Sequence, residues 1–213
     1  MLPLLPEPDT TMLLDTLNII AVSAEATTAA LIANRYRMDW FGVAVIGAVA
    51  GLGGGTLRDV LLNHHPLTWV KDPWLLLLTT VFALIGAAMA ARMQKLRHLF
   101  LALDAMGLVV FTVGGCNVAY ELHQSMAVCV IAGMVTGCAG GVIRDVMCNV
   151  VPLLFQQELY ASVSAAVACV YLYCFETLQM PQMSAVSLAM ITGFLLRGLA
   201  LRYNWRMPTF SAS

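Results

Sequence analysis

Four charged residues sit where charge is costly. Arg58-Asp59 and Arg144-Asp145 each fall near the end of a long apolar stretch, just past a run of glycines: Gly53-Gly54-Gly55 in one case, Gly140-Gly141 in the other. A charged side chain inside a bilayer is expensive unless paired or hydrated, so such residues mark an ion or substrate pathway by default. Neighbouring residues on a helix point about 100° apart, so Arg58 and Asp59 are expected to find partners on other helices rather than in each other. Glu25, near the middle of another apolar stretch, is a third candidate. Its plainer reading is a packing carboxylate, protonated or bonded to a hydroxyl such as Thr28.

These residues belong to a duplication. Residues 47–66 (GAVAGLGGGTLRDVLLNHHP) and 133–152 (GMVTGCAGGVIRDVMCNVVP) align without gaps at an offset of 86, with 10 of 20 positions identical. The offset extends weakly outward, pairing Leu17 with Leu103, Asn18 with Asp104 and Ala33 with Ala119. It therefore places Asp104 against Arg144 and Asn18 beside Arg58. Glu25 corresponds to Phe111 and breaks the symmetry.

The elements that must carry these residues are membrane helices. Of 213 residues, 60% are hydrophobic and 11% charged, and mean hydropathy is +0.82. A soluble domain carries about 25% charged residues, so this chain lacks the polar surface to cover a globule in water. A bilayer core needs about 20 apolar residues per helix. Seven spans are predicted, at about 14–34, 40–63, 73–92, 98–120, 126–148, 156–176 and 183–203. The expected architecture is a single all-α transmembrane domain over residues 1–213, with repeat 1 at about 14–92, repeat 2 at about 98–176 and an added seventh helix at 183–203. The N-terminal MLPLLPEPDT lacks the basic start and apolar core of a cleaved signal.

Basic residues set orientation. Arg35, Arg37, Arg92, Lys95, Arg97, Arg202 and Arg206 fall on one side, against Lys71 on the other. This predicts the N-terminus outside and the C-terminus in the cytoplasm. Three spans per unit is an odd number, so the second unit should be an inverted copy of the first.

The glycines carry two readings, and the tripled glycine with the charged pair beyond it favours a break or kink lining a pathway. Gly53-Gly54-Gly55 weakens helix 2 and its counterpart weakens helix 5, since each glycine costs a helix about 1 kcal/mol relative to alanine. Breaks or kinks facing each other would expose carbonyls to cations and N–H groups to anions. Alternatively, Gly47, Gly51 and Gly55, like Gly133, Gly137 and Gly141, recur every four residues, the small-residue spacing of closely crossing helices.

The remaining chemistry-bearing residues suggest little. His64 and His65 read as an interfacial cap, since a metal site needs more ligands. His98 and His123 read as boundary residues. Trp40, Trp69, Trp74 and Trp205 fall at predicted membrane edges. The six cysteines form no C-x-x-C pair and read as small buried apolar residues. A net charge of −1 gives no field for nucleic acid. With no Ser-His-Asp order, P-loop or H-E-x-x-H motif, neither enzyme chemistry nor a cofactor or metal is expected.

The doubled G-G-x-x-R-D motif (GGGTLRDVLL and GGVIRDVMCN), the three-plus-three-plus-one spans and the length resemble the trimeric intracellular cation (TRIC) channels, in the bacterial branch known by a glycine-transporter domain. The resemblance covers about residues 14–203. It implies a homotrimer in membrane lipid, each subunit holding an hourglass pore lined by spans 1, 2, 4 and 5, with spans 2 and 5 kinked at their glycines. It implies monovalent cations, chiefly potassium, as permeant ions and the bacterial inner membrane as location. On this chain the matching positions are Gly53, Gly54, Gly55, Arg58, Asp59, Gly140, Gly141, Arg144 and Asp145. The Lys-Glu-Val signature of animal members is absent, so their phosphoinositide site is not carried over. A carrier for a small zwitterion such as glycine is the alternative function, and a scaffold with glycines only for packing is a third.

Overall fold

The structure is a computed structural model and describes residues 8–33, 36, 38–90, 97–156, 159–203 and 205. The described residues are helical, without strands. The helices are α1 (Pro8–Ala33), α2 (Trp40–Leu61), the one-turn α3 (Thr68–Lys71), α4 (Trp74–Ala90), α5 (Arg97–Glu121), α6 (Met126–Met147), α7 (Ala161–Leu172) and α8 (Gln182–Tyr203). A π-helical turn, Tyr173–Thr177, continues α7. Five helices (α1, α2, α5, α6 and α8) are long and apolar enough to cross a membrane, whereas Trp74–Ala90 and Ala161–Thr177 are shorter. Arg35, Arg37, Arg92, Lys95 and Arg206, which carry most of the predicted orientation, lie outside the described residues; Arg97 and Arg202 are exposed.

The helices pack in two groups. Small residues line the first, with Ala29, Ala30 and Ala33 of α1 against Val43, Ile46 and Ala50 of α2 and Ala83 of α4. The second is bulkier and gathers α5, α6, α7 and α8 around Leu108, Val113, Tyr160, Val167, Tyr171 and Val186. Ala21 and Val22 of α1 meet Val110 and Phe111 of α5 and join the groups.

Glycines make the contacts close, and they do so in offset pairs. A Cβ on Gly51 would lie 3.1 Å from the Val22 carbonyl oxygen, and one on Gly137 would lie 2.7 Å from that of Leu108. Val22 and Leu108 are themselves 86 residues apart, so the α1–α2 and α5–α6 contacts match. Where α2 crosses α6, a methyl group on Gly54 would collide with the Thr136 carbonyl, and one on Gly140 with the Ala50 carbonyl. The pairing of 54 with 136 and 140 with 50 runs the two helices antiparallel at their crossing.

The break that the glycines suggested is absent from both helices. Residues 51–57 and 137–143 remain inside α2 and α6, and none of the glycines has a positive φ. Close backbone packing against a neighbouring helix offsets the low helix propensity of glycine. The small-residue reading thus accounts for Gly51, Gly54, Gly137 and Gly140.

The rest of the repeat is a shared helix stop. Asn63 and Asn149 both have φ 52°. In α2, His64 N donates to Asp59 O at 2.8 Å and Asn63 N to Val60 O at 3.3 Å; in α6, Val150 N donates to Asp145 O and Asn149 N to Val146 O, both at 2.9 Å. This is a Schellman cap with asparagine in the left-handed position that few other residues tolerate.

Candidate ion pathway

At the end of α2 the cap turns the chain back so that Asp59 gathers local donors. Arg58 Nε and Nη2 reach Asp59 Oδ1 at 2.9 and 2.6 Å. His64 Nδ1 approaches the same oxygen at 3.0 Å. Asp59 Oδ2 accepts from Thr68 N at 2.9 Å and Thr68 Oγ1 at 2.8 Å, tying down the start of α3. The expectation that adjacent Arg and Asp cannot satisfy each other is therefore wrong at this site. The long arginine side chain folds back across the angle between the two positions, and its planar fork meets the carboxylate with two N–H groups.

The same motif at the end of α6 reaches much farther. Arg144 Nε donates to Asp145 Oδ1 at 2.8 Å, the same neighbour pairing. Its other nitrogens leave the motif: Nη2 donates to Asp104 Oδ1 on α5 at 3.0 Å, and Nη1 donates to Glu25 Oε2 on α1 at 3.0 Å and to Thr28 Oγ1 at 2.7 Å. The guanidinium also lies 4.8 Å from the centre of the Phe100 ring. Asp145 Oδ2 accepts from Leu153 N at 3.1 Å, so this aspartate also holds the start of a short helix beyond a proline. Three carboxylates converge on one guanidinium, and Glu25, Asp104, Arg144 and Asp145 are all buried. Such a network is tolerable only because every nitrogen of the guanidinium has a partner.

The pairing of Asp104 with Arg144 follows the offset. Asn18, expected beside Arg58, lines the same cavity as Arg58, with no hydrogen bond joining them. Glu25 has the hydroxyl partner of its plainer reading, Thr28 Oγ1 at 2.9 Å from Oε2, and its carboxylate also contacts Arg144. Room for it comes from Gly107 on α5, where a Cβ would lie 2.7 Å from Glu25 Cγ. Gly55 and Gly141 sit beside the arginines: a Cβ would stand 3.8 Å from Arg58 Nη2 and 3.4 Å from Arg144 Nη2. Gly53 faces Ile143 across the α2–α6 crossing.

Two cavities flank this arrangement. One of about 1000 Å³ is lined by α1, α2 and α5 together with α3; its wall includes Asn18, Gly51, Gly55, Arg58, His64 and Thr136. The other, of about 400 Å³, lies between the end of α1, the start of α5 and the segment after α6, with Phe100 and Asp145 in its wall. The larger cavity is reached from the Arg58 end and the smaller from the Arg144 end.

Several polar residues here were not anticipated from the sequence. Arg197 in α8 is fully buried; its guanidinium lies 5.0 Å from the centre of the Tyr160 ring, and Nη1 donates to Leu159 O at 3.3 Å. The signal that singled out Arg58, a charge inside an apolar span, applied equally to it. At the rim of the larger cavity, Asn117 Oδ1 accepts from Tyr171 Oη at 2.9 Å and from Gln182 Nε2 at 2.6 Å, while Asn117 Nδ2 donates to Glu121 Oε1 at 2.7 Å. This cluster joins α5, α7 and α8 and has no motif. Among the described residues, no group of His, Cys, Asp and Glu is placed to hold a metal ion.

Known proteins share this arrangement of helices. The fold is that of the TRIC channels. It superposes on the TRIC trimeric intracellular cation channel orthologue from Rhodobacter sphaeroides with a TM-score of 0.86 and 28% identity, covering 90% of this chain and 98% of that one. A structure described for conductance through TRIC cation channels gives 0.85 and 30% identity, covering 93% and 98%. The chain belongs to the glycine transporter family, whose sequence pattern matches residues 15–94 and again 101–176. It is 35% identical over 201 residues to the inner membrane protein YadS of Escherichia coli (strain K12), covering 94% of this chain and 97% of YadS. It is 32% identical over 209 residues to a membrane protein of Vibrio cholerae, covering 94% and 84%.

Proposed function

We propose that this protein is a cation channel, permeable to potassium, with one pathway per subunit running between α1, α2, α5 and α6. The observation that carries this reading is the larger cavity, which reaches the α2–α6 crossing at Gly51, Gly55 and Thr136, with a smaller cavity beside Asp145 at the other end of the fold, in an arrangement shared with TRIC cation channels. Joined through the crossing, the two cavities would make an hourglass. Kinking of α2 and α6 at Gly53–Gly55 and Gly140–Gly141 would widen that constriction, since these positions lack side chains.

The charges suit a cation. An arginine in the path opposes positive ions unless it is neutralised, and both arginines are. Around Arg144, three carboxyl groups converge on one guanidinium, so its charge is matched within the protein. Backbone carbonyls and polar side chains near the crossing, Thr136 among them, replace part of an ion's hydration shell. Because Arg144 has no exposed surface, passage of an ion requires α1, α5 and α6 to separate around it.

In this reading the chain spans the bacterial inner membrane seven times, with its N-terminus outside, as two inverted three-helix repeats (about 14–92 and 98–176) and a seventh helix, assembled as a homotrimer. The antiparallel crossing and the offset-related glycine contacts support the inverted repeat. The name of YadS and the trimeric R. sphaeroides channel support location and assembly.

The test is reconstitution of the purified protein in planar bilayers under a potassium chloride gradient. Single-channel steps reversing near the potassium potential are the expected result. Saturable glycine exchange without steps would replace the channel with a carrier.

A further inference from the structure

The two copies of the helix stop differ at two histidines: His64 and His65 stand where the second copy has Val150 and Val151, and of the two His64 is the one that contacts the motif's aspartate. The residue after the left-handed asparagine is His64 in the first copy and Val150 in the second. His64 Nδ1 stands 3.0 Å from Asp59 Oδ1, the oxygen that already accepts from Arg58 Nε and Nη2. The Asp59 side chain is buried, whereas that of His64 is 37% exposed and lines the 1000 Å³ cavity. His64 therefore bridges the solvent of the cavity and the buried carboxylate.

Its electrostatic surroundings are mixed. From α2 it meets Arg58 and Asp59; His65 follows it in the chain and lines the same cavity. Lys71 and Asp72 at the end of α3, Asp15 on α1 and Glu121 on α5 line the same cavity. An ionised carboxylate only accepts hydrogen bonds, so neutral His64 must carry its proton on Nδ1. Proton uptake at the other ring nitrogen sets a second cation against a carboxylate already occupied by Arg58, and the cavity wall gains one positive charge. Histidine changes charge between about pH 5 and 8.

Resting on the channel reading, we propose that His64 is a proton sensor at the mouth of the pathway, and that acid on its side of the membrane reduces cation entry. A unit charge about 7 Å from a passing cation in water lowers its local concentration on the order of threefold, and salt screens the effect.

The experiment uses the full chain in planar bilayers with potassium chloride at about 0.1 M. Potassium current is recorded while each side in turn is taken from pH 8 to pH 5. The expected result is a fall of about 1.5-fold from one side only, vanishing at 1 M salt. His64→Gln keeps a donor for Asp59 but takes up no proton, so its current should ignore pH. Because His65 lines the same cavity, both channels are recorded in a His65→Gln background, which should itself keep the one-sided fall. A steady current that ignores pH, or a His64→Gln channel that still responds, overturns the sensor and leaves the channel standing. No potassium current at pH 8 overturns the channel reading and the sensor with it.

Discussion

The Arg58 and Arg144 ends carry the same short motif and treat it differently. Arg58 is held by residues within ten positions of it, Asp59 and Thr68, and it borders a large cavity. Arg144 is sealed from solvent and draws Asp104, Thr28 and Glu25 from 40, 116 and 119 residues away. What differs is the surroundings, not the motif. Where Arg144 meets Asp104, the offset gives Arg58 only Asn18; where Arg144 meets Glu25 of the first repeat, the counterpart at the Arg58 end is the apolar Phe111 of the second. A duplicated segment thus fixes a local cap twice, while diverged neighbours make one end an ionic lock and the other an open mouth.

The largest expected effect would break this contrast. Arg144→Ala leaves three carboxylates buried without their cation, and loss of one member of a buried ionic network costs about 3–5 kcal/mol. Arg58→Ala leaves the buried Asp59 carboxylate with Thr68 and His64 next to the cavity, and should cost less, about 1–3 kcal/mol. Reversible unfolding in detergent compares the two; equal losses would show that the ends are energetically alike.

Next come changes that should strike both halves equally. Gly54→Ala and Gly140→Ala each drive a methyl group into a carbonyl of the crossing helix, and overpacking of this kind costs about 1–3 kcal/mol. Gly114→Ala has open space around it and should be neutral or stabilising by up to about 1 kcal/mol. Unequal losses at Gly54 and Gly140 in the same unfolding assay would deny the paired crossing.

The caps should also behave alike. Asn63→Val and Asn149→Val put a β-branched residue in the left-handed region, at a cost of about 1–2 kcal/mol each. The matching glycine substitutions should be nearly neutral. Thermal unfolding of the four variants tests whether these turns are as local as their hydrogen bonds imply.

The smallest effect sharpens the comparison. Asn18→Asp installs at the Arg58 end the carboxylate that the other repeat already has. The new charge faces the cavity, so stability should shift by less than about 0.5 kcal/mol. Potassium conductance should rise modestly at low salt and converge with wild type at high salt, as surface charges are screened.

Much of this was legible in the residues. Membrane character follows from apolar composition, because few polar groups are available to face water. The offset of 86 foretold that Asp104 meets Arg144, since a repeated sequence tends to fold into repeated geometry. The glycine spacing left two outcomes open; continuous helices with close crossings emerged because packing against a carbonyl-lined neighbour outweighs glycine's weak helix preference. The self-pairing of Arg with the next Asp was misjudged from backbone angles alone, which ignore the reach of a long side chain.

The sequence by itself determined the helices, their duplicated stops and the presence of charges that no lipid environment tolerates unpaired. These rest on near-neighbour chemistry: hydropathy, the left-handed asparagine and the proline beyond it. Only the tertiary structure decided which charge is sealed and which faces a cavity. That depends on residues from α1 and α5 arriving beside α6, on the room left by Gly107 for Glu25, and on the unforeseen burial of Arg197 in α8. Burial and long-range pairing are properties of the assembled helices, and no single segment encodes them.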